Sequence, residues 1–242
     1  MFGGDHPELS RAVGRAIALV RSLGHARVGS EHLLLALATG DGRRATGDDG
    51  VSTVLVRHGA TAAVLREAVL AAAPAGAGVA ADRDTLATLG IDVDNLLRLA
   101  GARSMDRPPL REPLFPLGAA TARRRCARMS PPLGLDAQAA YEASLRLALA
   151  RHERIHRPEH LALALGTLDP GAAWVLASAG VDGHALVADL AASFPPPRRN
   201  ALLRADRQLG HRIRGQGLIR RYERTTGRTA TTASTVAALI DG

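Results

Sequence analysis

A hydroxyl, a carboxylate and an imidazole stand side by side at Ser30-Glu31-His32, and a second carboxylate–imidazole pair stands at Glu159-His160. These are the parts of a nucleophilic relay, but a relay works only if the groups converge in hydrogen-bonding series. Neighbours on a helix diverge by about 100°, so three consecutive residues do not converge, and no catalytic role is expected. These residues have a plain structural account. A glutamate in a first helical turn gains about 0.3–1 kcal/mol from the helix dipole without any ligand, and histidines there commonly pack and bond to the helix start.

Other clusters say less. His152, His156 and His160 are spaced by four residues, but Pro158 pushes its predecessor out of the helical region, so the three are not expected to share a metal-binding face. Cys126 is the single cysteine, which excludes an intrachain disulfide and leaves a thiolate zinc site without partners. All 31 cations are arginine. Without a lysine there is no Gly-x-x-x-x-Gly-Lys-[Ser/Thr] phosphate loop. No metal and no cofactor are expected.

The charge is concentrated at the C-terminal end. Residues 196–242 hold ten arginines against Asp206, Glu223 and Asp241, most of the net charge of +8. Arg212, Arg214, Arg220, Arg221 and Arg224 could neutralise nucleic-acid phosphates in a salt-dependent way or meet an acidic protein surface. Aromatic interleaving is limited to Tyr222 and no helix-turn-helix is evident, so sequence-specific readout is not expected. The plainer expectation is a solvated basic tail.

The elements that position these residues are helical. Aromatics are 2% of the chain and its hydrophobics are mainly Ala, Leu and Val, which favours close helix packing over a β-sandwich. An internal duplication organises them. SEHLLLALATG at 30–40 is repeated as PEHLALALGTL at 158–168, with six of seven residues identical from Glu31 to Leu37. Leu55, Gly59 and Leu65 recur downstream as Leu176, Gly180 and Leu186, and an Ala-rich amphipathic stretch precedes each copy. Four helices per copy are predicted. Asp136, Pro158, Asp169-Pro170 and Asp182 mark starts in the second copy; Pro7, Ser30 and Thr61 take these roles in the first. Gly59 and Gly180 fall where a helix must end in the left-handed conformation.

The expected organisation is a first repeat over 1–75, a helical pair and a Pro/Arg-rich linker over 76–134, a second repeat over 135–195, and an Arg-rich tail over 196–242. The insertion GDGRRATGDDG at 40–50 reads as an exposed loop, residues 82–100 as the extra helical pair, and 101–134 as mostly irregular. A tail helix is placed near 200–214, weakened by Gly210, Gly215 and Gly217. The fold class is all-α, a duplicated four-helix repeat forming a pseudo-two-fold bundle of about eight helices.

An Ala-rich first helix ending near Gly24-His25, followed by Ser30-Glu31-His32-Leu33 and its helix, then Gly59, with Glu159-His160-Leu161 and Gly180 in the second copy, resembles the amino-terminal domain of the Clp unfoldases. The likeness spans roughly residues 1–75 and 135–195 and includes Met1-Phe2-Gly3. It implies a module that recruits substrates and adaptors to an ATP-driven ring, here standing alone without the ATPase modules. It also implies that Glu31 and Glu159, with Ser30, His32 and His160 beside them as candidate peptide-binding residues, receive the guanidinium of arginine- or phosphoarginine-bearing peptides. The threonine that assists the phosphate is replaced by Asp5 or His6 in one copy and by Gly134 to Asp136 in the other. An aspartate there repels a phosphate dianion, which favours plain guanidinium. Phe2 either lines the ligand surface or anchors the terminus.

No stretch approaches the ~20 apolar residues of a membrane span and no signal peptide is evident, so a cytoplasmic location without membrane contact is expected. The function these features predict is a protein-binding adaptor, regulator or decoy for a Clp-type protease, with unfoldase or protease components or their substrates as partners. The alternative is a nucleic-acid-binding regulator that works through the tail.

Overall fold

A computed structural model describes residues 4–40, 50–100, 130–197, 213–230 and 239–240. Eleven helices lie among them: α1 (Pro7–Leu23), α2 (Ser30–Ala38), α3 (Val51–Arg57), α4 (Ala62–Ala71), α5 (Ala77–Ala87), α6 (Val93–Ala100), α7 (Leu135–Ala150), α8 (Pro158–Leu168), α9 (Pro170–Ser178), α10 (Gly183–Ser193) and α11 (Ile213–Thr226). Extended pairing among the described residues is confined to two isolated bridges. The protein is all-α.

The core follows from the apolar spacing. Leu9, Ala12, Ala16 and Val20 line one face of α1, at helical period. Helix α2 is buried at every position and α8 at nearly every one, as expected of helices that are apolar all round. The two pack against each other, α2 also meeting α1, α3, α4, α7 and α9, and α8 meeting α1, α3, α7, α9 and α10. Among the described residues no single helix is long and apolar enough to cross a membrane. The apolar run of α8 and α9 is bent by 85° between the two.

The duplication is an exchange in space. In the register that aligns Glu31 with Glu159, Asp5 corresponds to Leu133 and Val28 to His156. The two bridges are Asp5 with His156 and Val28 with Leu133, so each copy's strand before its first helix pairs with the other copy's strand before its second. The hydrogen bonds repeat likewise. His6 N–H donates to His156 O at 2.7 Å as Gly134 N–H does to Val28 O at 2.9 Å, and His156 N–H donates to Gly4 O at 3.0 Å as Val28 N–H does to Pro132 O at 2.9 Å. Such a reciprocal contact is the signature of a two-fold relation.

Helix ends follow local chemistry. Gly24 ends α1 with φ 70° and its counterpart His152 follows α7 with φ 53°. Gly59 and Gly180 are both left-handed as expected. The carboxylate of Asp182 accepts from the N–H groups of His184 and Ala185, Asp169 from Ala172, and the Thr61 hydroxyl from Val64. Two starts differ from expectation. Gly134 is the N-cap of α7, which places Asp136 inside the first turn, and Gly29 precedes α2, with Ser30 its first helical residue. Glycine accepts either extended cap geometry, which lets the helices begin one or two residues earlier than the polar residues suggest.

The extra pair between the copies is α5 and α6, joined through left-handed Gly90. Of the predicted loop and linker, 41–49 and 101–129 lie outside the described residues, whereas residues 132–134 pair with Val28. The expected solvated tail is corrected over 213–230. Helix α11 runs through Gly215 and Gly217 and packs along α7, burying Leu218, Tyr222 and Thr225. These residues repeat at helical spacing, and their burial offsets the roughly 1 kcal/mol that each interior glycine costs. Arg151, buried itself, donates to the carbonyls of Phe194 and Leu239, which ties Leu239 and Ile240 to the second copy.

Candidate functional site: a buried carboxylate seam

Three helix starts meet where the copies join. Glu31 lies in the first turn of α2, Asp136 in the first turn of α7, and Asp169 caps α9. Ser30 stands between the aspartates. Its hydroxyl donates to Asp169 Oδ1 at 2.7 Å and reaches Asp136 Oδ2 at 3.5 Å, while its N–H donates to Asp136 Oδ2 at 3.4 Å. Asp169 Oδ1 also accepts from Ala172 N–H at 2.6 Å and Asp136 Oδ1 from Ala137 N–H at 2.9 Å. Helix dipoles favour anions here, but the carboxyl groups are desolvated together. Burial, and then the charge of Asp136, push Asp169 up to about 6. Burial and the charge of Glu31 raise Asp136.

Glu31 is 3% exposed, and its Oε2 has no hydrogen-bond partner among the described residues. The carboxylate folds back over Gly29, where a Cβ would lie 2.2 Å from Oε2; the corresponding residue of the second copy is Arg157. An anionic oxygen buried without a donor is costly. The charges that oppose this negative seam are Arg27, whose Nη2 donates to Ala75 O at 3.0 Å, and Arg228.

Arg228 and Tyr222 come from the C-terminal arm, taken here as α11 with residues 227–230. The Tyr222 hydroxyl donates to Asp169 Oδ2 at 2.6 Å, and its ring is 2% exposed. Arg228 pairs with Asp82 of α5, Nη2 to Oδ2 at 2.8 Å and Nε to the same oxygen at 2.9 Å. Burial disfavours its charge, but the bond to Asp82 and the charges of Asp82, Asp136 and Asp169 outweigh this and raise its pKa. A glycine makes the room. A Cβ on Gly78 would lie 2.9 Å from the Arg228 guanidinium carbon. Gly171 on α9 lets the backbone of α5 approach, its would-be Cβ falling 2.8 Å from Gly78 N.

The two Glu-His pairs share one device. His32 Nδ1 accepts from Gly29 N–H and His160 Nδ1 from Arg157 N–H, both at 3.0 Å, so each ring caps its own helix start. The proton is left on Nε2, which meets His25 Nδ1 at 2.8 Å in the first copy and lies 3.0 Å from Glu153 Oε1 in the second. Glu153 stands at the position of His25. The latter approach is a charge contact without hydrogen-bond alignment, since His160 Nε2 has no hydrogen-bond partner. Burial lowers the pKa of His25. His156, which bonds Ser144 and Asp5 at 2.8 and 2.9 Å, is also lowered by burial despite Asp5.

Of the residues singled out from sequence, Ser30, Glu31 and His32 are brought together with Asp136 and Asp169. Glu159 and His160 are buried in the second copy, near Arg151 and Glu153. Neither glutamate is displayed on an open surface, because the helix starts that carry them face the joint between the copies. Phe2 and Arg212 lie outside the described residues, and Arg214 lies on α11. Arg220 and Arg224 are exposed, whereas Arg221 is engaged by Glu142. Asp136 and Asp169 had been read as caps, and Asp136 also as standing where a phosphate-assisting threonine would, and nothing in a one-dimensional pattern pairs them with Arg228. Among the described residues no set of His, Cys, Asp and Glu is placed to hold a metal ion.

Comparison with known proteins adds one likeness. The chain is similar to the N-terminal domain of the caseinolytic protease associated chaperone ClpD from Arabidopsis thaliana, at 20% identity and a TM-score of 0.45, over 78% of this chain and 92% of that one. No family model and no curated protein matches the chain.

Proposed function

We propose that the chain is a protein-binding module that takes arginine-bearing segments of protein partners at the joint of its two copies. It would act as an adaptor, regulator or decoy for the substrates of a Clp-type ATP-dependent protease. The observation that carries this reading is the seam itself: Glu31, Asp136 and Asp169 lie desolvated at three helix starts, with Glu31 Oε2 lacking a donor. A guanidinium supplies planar paired donors and charge together, which a lysine does not. Clustered carboxylates repel a phosphate dianion, so unmodified arginine is favoured over phosphoarginine. The link to a Clp-type machine rests on the duplicated Glu-His-Leu motif, and the similarity of name in the solved relative agrees with it.

The test is titration calorimetry with an arginine-bearing peptide against the parent and the Glu31→Ala, Glu159→Ala double variant. Binding to the parent and loss of at least about tenfold in the variant, roughly 1.4 kcal/mol, is the expected result. Full affinity in the variant rejects the reading. Binding of nucleic acid through the arginines of the C-terminal region is the second reading, favoured by the exposure of Arg220 and Arg224. Retention on heparin that disappears on charge reversal of these two at moderate salt would support it.

A further inference from the structure

The chain already places an arginine of its own beside the seam. Arg228 sits in a slot that exists because position 78 is glycine, held by Asp82 and attracted by Asp136 and Asp169. Five residues before the glycine turn at 227, the Tyr222 hydroxyl donates to Asp169 Oδ2. Leu218 and Thr225 extend the contact over α7. A cation, a phenol and an apolar anchor on one segment are the elements by which a peptide would be recognised. The fit is incomplete. Arg228 pairs with Asp82, while Glu31 Oε2 has no donor among the described residues.

We propose that the C-terminal arm, residues 213–230, is a tethered occupant of the carboxylate seam, and that an arginine-bearing segment from a partner binds by displacing it. The proposal rests on the reading of the seam as an arginine site and adds its regulation. A tethered segment competes at high effective concentration, so affinity for an outside peptide is reduced by the fraction of molecules whose arm is docked. Among the described residues the arm is anchored by one phenol bond, the ion pairs of Arg221 with Glu142 and of Arg228 with Asp82, and a short apolar stripe. Such a contact can open without unfolding the bundle.

Three full-length proteins test this: the parent, the Tyr222→Phe, Arg228→Gln variant, and the Gly78→Ala variant, whose added methyl meets the guanidinium of Arg228 and leaves the arm sequence intact. Two labelled probes are titrated by fluorescence anisotropy, a copy of residues 213–230 and an unrelated arginine-bearing peptide of equal charge. Circular dichroism melts confirm that each variant is folded. The Tyr222→Phe, Arg228→Gln variant is expected to bind the copy at least about tenfold more tightly than the parent does, with the gain removed by adding Asp169→Asn, whereas the Gly78→Ala methyl excludes the arginine of arm and copy alike and gives no such gain. Binding of the copy but not of the unrelated peptide upholds the arm as occupant and overturns the proposed partner class. Equal affinity of the copy for the parent and the Tyr222→Phe, Arg228→Gln variant, or no binding to either, overturns the arm proposal even if the unrelated peptide binds.

Discussion

Asp169 concentrates the energetics of the seam in one side chain. Its carboxyl faces Asp136, the hydroxyls of Ser30 and Tyr222, and the more distant charge of Arg228. Because its pKa is raised to about 6 in the folded chain, the folded state binds more protons than the unfolded chain between the ordinary aspartate value and 6. The associated stability is full below that ordinary value and is lost as pH rises through about 6. His25 and His156, with lowered pKa values, contribute in the opposite sense, so the variant must be compared with its parent. We expect Asp169→Asn to remove about 1–3 kcal/mol of the decline between pH 4 and 7, measured by urea unfolding across that range; parallel curves for parent and variant would contradict this. His32 and His160 give a second case. Each satisfies a backbone donor at a buried helix start, so replacement by alanine is expected to cost about 2–4 kcal/mol through the lost bond and the cavity. A cost below about 1 kcal/mol at both sites would show that the caps are replaceable.

At the level of elements, local signals were legible where local chemistry decides. Asp169, Asp182 and Thr61 cap the helices assigned to them, and Gly59 and Gly180 end theirs, because a cap needs only a side chain and its next few amides. We expect Asp182→Ala to lower the midpoint in the same unfolding assay, while an unchanged midpoint would remove the cap from the account. Helix α11 was not legible in the sequence, and the tail helix placed near 200–214 lies mostly outside the described residues. Gly215 and Gly217 lower its intrinsic helicity, and what fixes it is Leu218, Tyr222 and Thr225 meeting α7, a contact with residues far away in the chain. Asp136 illustrates the same limit. Its sequence position suits a cap, but the earlier start at Gly134 turns it inward to Ser30. The arm should therefore depend on its long-range contacts. In the Tyr222→Phe variant, amide exchange over 217–226 is expected to accelerate while α2 and α8 remain protected.

For the whole molecule, the exchange of bridges between the copies makes them mutually dependent. Asp5 belongs to one copy and pairs with His156 of the other, Val28 pairs with Leu133, and α2 packs on both α7 and α8. The duplication itself was plain in the repeated Glu-His-Leu helix, but this swap was not, because Gly4 to His6 and Pro132 to Gly134 carry no motif of their own. Trp174 reports on the joint, as its Nε1–H donates to Asp84 of α5 at 2.6 Å. A single thermal transition is expected, coincident by far-ultraviolet dichroism and Trp174 fluorescence. Two separated transitions would mean that the copies fold independently.

The central claim is that a basic segment is taken at the seam where the helix starts of both copies meet. The most direct measurement is the amide-exchange footprint of the full chain saturated with an arginine-bearing peptide. Slower exchange is predicted at residues 29–33, 135–138 and 170–173, with faster exchange over 217–226 as the arm leaves. Protection confined to α6, or to the outer face of α11 around Arg220 and Arg224, with the seam unchanged, would contradict it.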